Sequence, residues 1–231
     1  MNISKNLVTK TIWFSLVMQI ITGIIPLQAF FIRIPEQHQI LSDILTLETV
    51  VQFVELVFYI WIAYAVLNVD VMTSRRYIDW VITTPTMLLS TIMFMKYQEQ
   101  KEKGKLKEEP VETLKFLNTY KNEILSIFAY NLGMLVFGFL GEVNILSQYI
   151  SIPVGFVFFA KSFELIYNNF GKKSVLGEKL FMFLLSVWSL YGVAAAFPAN
   201  LKNVSYNLLD IVAKNFYGLY IYYKILQVRN D

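Results

Sequence analysis

The chain has 231 residues, of which 56% are hydrophobic, 16% aromatic and only 16% charged, with a mean hydropathy of +0.50. A soluble domain keeps roughly 25% charged residues, so this composition predicts a protein whose solvent is lipid. A formal charge of +3 with no free-standing basic block argues against a nucleic-acid partner, the lack of cysteine removes disulfides and thiolate chemistry, and a single histidine, His38 in a polar loop, leaves no zinc site or His-based triad.

Seven stretches are long and apolar enough to cross a bilayer, at about residues 11–32, 44–68, 76–96, 122–141, 145–168, 179–199 and 204–226. They predict an all-α membrane protein, a multi-pass bundle of seven transmembrane helices in a single domain over residues 1–231. The N-terminal Met1–Lys10 is short and polar without a small-residue cleavage site, which predicts no removable signal peptide. Val69–Arg75, Glu142–Asn144 and Pro198–Asn203 are short connections, and the exception is a charged linker over residues 97–121. The second half of that linker fits either a short interfacial helix, with Pro110 at its first position and Val111, Leu114 and Leu117 on one face, or a plain solvated segment. With the N-terminus outside and the C-terminus inside, fourteen basic residues fall on the inner side and five on the outer, as the positive-inside rule requires.

Taken in chain order, the spans carry polar groups at helical spacing. Ser15, Gln19 and Thr22 make a stripe on the first, and Glu48, Gln52 and Glu55 make another on the second. Two glutamates in an apolar helix are expensive unless they line water or meet partners, and hydrogen bonding between helices is the alternative use of such stripes. The third span opens Arg76-Tyr77-Ile78-Asp79-Trp80-Val81-Ile82-Thr83-Thr84-Pro85, which puts Arg76, Asp79 and Thr83 on one face. On the seventh, Asn203, Asn207, Asp210 and Lys214 repeat at intervals of four, three and four. An ammonium at membrane depth costs at least ~2.5 kcal/mol. Lys214 is therefore either half of a buried ion pair with Asp210 or a desolvated amine suited to Schiff-base chemistry with an aldehyde. A second carboxylate at Asp79, with Arg76 to balance it, points to a counterion complex around one cation.

The Arg-Tyr-x-Asp-Trp-x-x-Thr-Thr-Pro run, the Asp210-x-x-x-Lys214 pair, Trp188-Ser189-x-Tyr191 on the sixth span and the spacing of Asn131, Met134 and Gly138 on the fourth resemble the microbial (type 1) rhodopsins over nearly the whole chain. The resemblance implies all-trans retinal bound covalently to Lys214 as a protonated Schiff base. It also implies Asp79 and Asp210 as counterions, Arg76 and Thr83 as their support, and a pocket of Tyr77, Trp80, Thr84, Met87, Met134, Gly138, Trp188 and Tyr191. Gly192 and Ala195 depart from the family pattern, where a proline commonly follows the sixth-span tyrosine and an aromatic often lines the ring.

In the family's outward proton pumps a carboxylate eleven residues after the acceptor returns the proton, and here that position is Ser90, whose hydroxyl has no proton to deliver near neutral pH. The segment Pro198–Asn207 also has no carboxylate to release one. Helices one, two and seven adjoin in this fold, so the stripes of Ser15 and Gln19, of Glu48, Gln52 and Glu55, and of Asn203 and Asn207, with Ser90, outline an ion path. The heptad glutamates are similar to those of channel-forming rhodopsins, and the short chain and extended linker resemble the group 1 viral rhodopsins of algal giant viruses. A light-gated cation channel is the implied function, with a proton pump lacking a carboxylate donor, or a sensory rhodopsin, as alternatives. The implied partners are the lipid bilayer (the host cell membrane if the source is viral) and transported cations or protons. Homo-oligomers are common in the family, and no diagnostic small-residue dimer motif stands in these spans.

Overall fold

The computed structural model describes residues 4–64 and 69–230, and among these it contains helices and turns but no strand. The elements are α1 (Lys5–Ile24), α2 (Ile40–Ala63), α3 (Val69–Glu102), α4 (Thr113–Thr119), α5 (Lys121–Glu142), α6 (Gln148–Asn169), α7 (Val175–Ala195), α8 (Ala199–Asp210) and α9 (Phe216–Val228). A 3₁₀ segment, Ile25–Phe31, prolongs α1; Pro26 at its start has no N–H for the α-helical ladder. A π-helical turn, Ile211–Asn215, joins α8 to α9.

Among the described residues, six helices are long and apolar enough to span a membrane: α1 with its 3₁₀ extension, α2, α3, α5, α6 and α7. The seventh crossing is the continuous path α8, π-turn, α9, and Lys214 lies inside the π-turn. Successive spans pack side by side, α8 packs on α1 and α9 on α2 to close the ring, and α3 touches α2, α5, α7 and α8.

Several boundaries differ from expectation. With 34 residues α3 is roughly 50 Å long, more than the ~30 Å hydrocarbon layer, because Val69–Arg75 and Tyr97–Glu102 are helical rather than connections. The irregular part of the linker therefore shrinks to residues 103–112, entered through Gly104 at φ +68°. The short helix after it exists, but it starts at Thr113 rather than Pro110. Phe116 is its buried residue and Leu114 is exposed. Each of the last three spans begins away from the expected residue: α6 at Gln148, after a turn with Asn144 at φ +58°, α7 at Val175 and the seventh crossing at Ala199. The expected end of the second span, residues 65–68, lies outside the described residues. His38 is buried, and its Nδ1 lies 2.8 Å from the Tyr97 hydroxyl.

The interior is divided along the bundle. Toward the linker, Leu41, Ile44 and Leu45 of α2, Ile92 and Phe94 of α3 and Ile221 and Ile225 of α9 form one apolar core. Around Lys214 and toward the opposite end the buried residues are polar and charged, among them Gln19, Glu55, Arg76, Asp79, Asn203, Asn207 and Asp210.

Candidate functional site

Lys214 is buried, and its Nζ lies 3.0 Å from Asp79 Oδ2, 3.5 Å from Glu55 Oε1 and 3.6 Å from Asp210 Oδ1. The π-turn widens the helix by one residue at this point, a distortion common at functional sites, and aims Lys214 between α2, α3 and α8. Asp79 and Asp210 fall where the spacing placed them. Glu55, expected on an ion path, belongs to the carboxylate cluster as well, and its Oε1 accepts from Gln19 Nε2 at 3.3 Å.

Asp210 has the richest set of donors. Its Oδ2 accepts from Arg76 Nη1 at 3.0 Å and from the Tyr59 hydroxyl, while Oδ1 accepts from Tyr191 at 2.8 Å. Arg76 also donates to Tyr59 (3.2 Å), to Asn203 (3.4 Å) and to Asn207. Its guanidinium thus faces Asp210 rather than Asp79 and ties α3 to both α2 and α8. Thr83 donates to the backbone carbonyl of Asp79 (3.0 Å), so it supports the helix turn that carries the carboxylate.

A cavity opens from Lys214 between α3, α5, α6 and α7. All eight expected pocket residues, Tyr77, Trp80, Thr84, Met87, Met134, Gly138, Trp188 and Tyr191, line it together with Lys214. The fifth-span wall, Ser151, Ile152, Gly155, Phe156 and Phe159, and Tyr206 on α8, had no signal in the sequence that set them apart from ordinary packing residues. Gly192 acquires a structural reason: a Cβ there would stand 2.8 Å from Phe156 Cε2, so the bare backbone admits the Phe156 ring. Gly138 likewise makes room for Tyr77, whose hydroxyl would be 2.7 Å from an added Cβ. Asn131 fixes Thr84 by donating to its hydroxyl at 2.7 Å. The fit to a flat polyene is good: aromatic faces and glycines form the walls, and the lysine amine is at one end.

The stripes meet as well. Ser15 donates to the Asn207 carbonyl (3.1 Å), Asn207 Nδ2 to Thr11 (2.9 Å), Asn203 Nδ2 to Thr73 (3.0 Å) and Thr22 to Gln52 Oε1 (3.5 Å). Ser90 donates to Glu48 Oε1, so the position without a carboxylate has one from the neighbouring span beside it. The outer segment Pro198–Asn207 also gains a carboxylate through space, as Lys202 Nζ pairs with Glu142 Oε2 at 2.8 Å.

A bundle of seven crossings with a buried lysine among carboxylates and an aromatic slot is the architecture of a retinal photoprotein. The sequence matches the bacteriorhodopsin-like protein family over residues 10–228, and the chain belongs to that family, whose members bind retinal through a lysine Schiff base. No curated protein sequence matches it significantly. Among solved structures, it is similar to the viral rhodopsin OLPVRII (TM-score 0.80, 24% identity, covering 96% of this chain and 99% of that one). It is also similar to a blue light-absorbing proteorhodopsin from Med12 (0.75, 16%, 97% and 99%) and to xanthorhodopsin, described as a light-driven ion pump with dual chromophore (0.71, 15%, 97% and 94%). These resemblances show the shared seven-helix fold.

Proposed function

We propose that this membrane rhodopsin is a light-gated cation channel in which Lys214 holds retinal and Asp79 and Asp210 are its counterions. Retinal, when bound, supplies the light-driven change of shape. Asp79 Oδ2, 3.0 Å from Lys214 Nζ, is placed to take a proton from that nitrogen, while Arg76, Tyr59 and Tyr191 keep Asp210 hydrogen-bonded. Trp80 on α3 and Trp188 on α7 line the cavity and would hold the polyene between them.

The observation that carries the channel reading is the seam of α1, α2, α8 and α9. Gln19 Oε1, Glu55 Oε2, Gln52 Nε2 and Glu48 Oε2 are buried along it with no hydrogen-bond partner in the protein. Buried polar groups left unpaired in this way are the groups that water and cations satisfy. Arg76 with its four partners blocks one end of this seam, and Leu41, Ile44, Leu45, Ile92 and Ile221 block the linker end, which the positive-inside rule makes cytoplasmic. The resting bundle is therefore closed, and conduction requires both blocks to loosen.

A specific contact favours a second reading. Glu48, bonded to Ser90, supplies a carboxylate beside the position that serves outward pumps as proton donor. Whole-cell voltage clamp under illumination separates the two. Photocurrent that reverses near the cation equilibrium potential supports the channel, and current outward at every voltage supports the pump and sinks the channel. Absence of current with a slow photocycle points instead to a sensor.

A further inference from the structure

The overhang of α3 reaches the start of α7. Glu102, the last residue of α3, accepts from Val175 N at 2.9 Å through Oε2 and from Leu176 N at 3.2 Å through Oε1. Ser174 completes the cap, its hydroxyl accepting from Gly177 N at 3.0 Å and its carbonyl from Glu178 N at 3.0 Å. Three N–H groups of the first turn, those of Val175, Leu176 and Gly177, are thus satisfied outside the helical ladder, two of them by a carboxylate from a different span. Helix termini normally find such partners in their own chain neighbours, as α7 does in Ser174. A negative charge at this end also suits the helix dipole.

The two helices so joined differ in how firmly they are held. In its most apolar stretch 67% of α3 is buried, the largest share of the six spans, and only 22% of α7, the smallest. The first is a fixed post and the second is the wall with least to restrain it. That wall carries Trp188, Tyr191 and Gly192 of the pocket, so a change in the shape of its contents pushes first on α7.

We propose that Glu102 is a positioning residue of the light response: by capping α7 from α3 it holds the sixth span in its resting place, and the cap must break for α7 to move. The proposal rests on the retinal reading above. Because the chain has no cysteine, spin labels can be placed cleanly at Lys101→Cys and Lys179→Cys in the full-length, retinal-loaded protein. Their separation is measured by double electron–electron resonance in the dark and after illumination, alongside the photocycle by flash photolysis. Glu102→Gln is expected to leave the dark absorption maximum and the first proton transfer unchanged. It should enlarge the fraction of molecules with a longer label distance and slow the return to the dark state about two- to tenfold, the range a lost helix cap allows. Ser174→Ala removes a cap of the same helix without touching the tie to α3, and is expected to leave that return within about twofold of wild type. Wild-type behaviour of Glu102→Gln overturns the proposal. So does an equal effect of Ser174→Ala, which would reduce Glu102 to a local cap, or a coloured wild type whose label distance ignores light. A wild type that takes up no retinal would bring down the retinal reading first and this one with it.

Discussion

Replacing Tyr59 with phenylalanine deletes one oxygen at the most heavily bonded point of the bundle. That hydroxyl donates to Asp210 Oδ2 and accepts from Arg76 Nη1 at 3.2 Å, and Tyr59 is fully buried, so no water can take its place without a rearrangement. A hydrogen bond to a charged group contributes about 1.5–3 kcal/mol. Asp210 keeps Arg76 and Tyr191, and Arg76 keeps Asn203 and Asn207, so the loss does not extend to either charge as a whole. The expected cost is about 2 kcal/mol, which for a chain of this size lowers a melting midpoint by roughly 4–8 °C. Loss of visible absorption on heating the retinal-loaded protein measures it, and the absorption maximum should shift as well because Asp210 lies beside Lys214. Tyr191→Phe removes a donor from the other oxygen of the same carboxylate, and the double variant should depart from additivity. Tyr64→Phe, at a site 83% exposed, is the control and should stay within about 0.5 kcal/mol. If Tyr59→Phe bleaches and absorbs as the wild type does, the hydroxyl does not hold Asp210 and the account of the counterion site is wrong.

Lys214→Ala should give a folded protein that develops no visible band with all-trans retinal, and retained colour would refute the linkage. Gly192→Ala pushes a Cβ against the Phe156 ring, an overpacking that costs about 1–3 kcal/mol; slower retinal uptake and a shifted maximum are expected, with partial recovery in Gly192→Ala/Phe156→Leu, and unchanged uptake would show that the wall yields freely. Glu55→Gln removes a carboxylate 3.5 Å from Lys214 Nζ, so it should alter the absorption maximum together with the photocurrent. A change in current alone would return Glu55 to the ion path and take it out of the lysine's surroundings.

The charged cluster around Lys214 was legible because charge inside an apolar window is conspicuous. Lys214, Asp210, Asp79 and Arg76 stand out from their neighbours at helical spacing, and the structure gathers all four. Tyr59 was not legible, since a tyrosine within an aromatic-rich lipid span differs from the other thirteen only through the partner it meets across the bundle. Glu55 shared its helix face with Glu48, and periodicity places a side chain around a helix but does not say which neighbour it meets. The two glutamates diverge in depth, one beside Lys214 and the other beside Ser90. Glu102 looked like one more charge in a solvated linker, because composition does not reveal that a helix runs on past the membrane. The fifth-span wall was hidden for the opposite reason, as Phe156 and Phe159 resemble any lipid-span aromatics until the cavity beside them is seen.

The π-turn at Ile211–Asn215 makes the seventh crossing two helices out of phase. One surplus residue rotates everything beyond it by about 100° relative to an unbroken α-helix. Asn203, Asn207 and Asp210 can therefore keep the register that serves Arg76, while Tyr217, Gly218 and Ile221 keep the register that serves α2 and the linker-end core. The two halves are free to be tuned separately, with Lys214 at the joint. Tightening that joint to α-helical pitch would swing one half off its partners without altering a single side chain, so the same turn that seats the lysine is also the place where a small change in winding becomes a change of neighbours along the whole span.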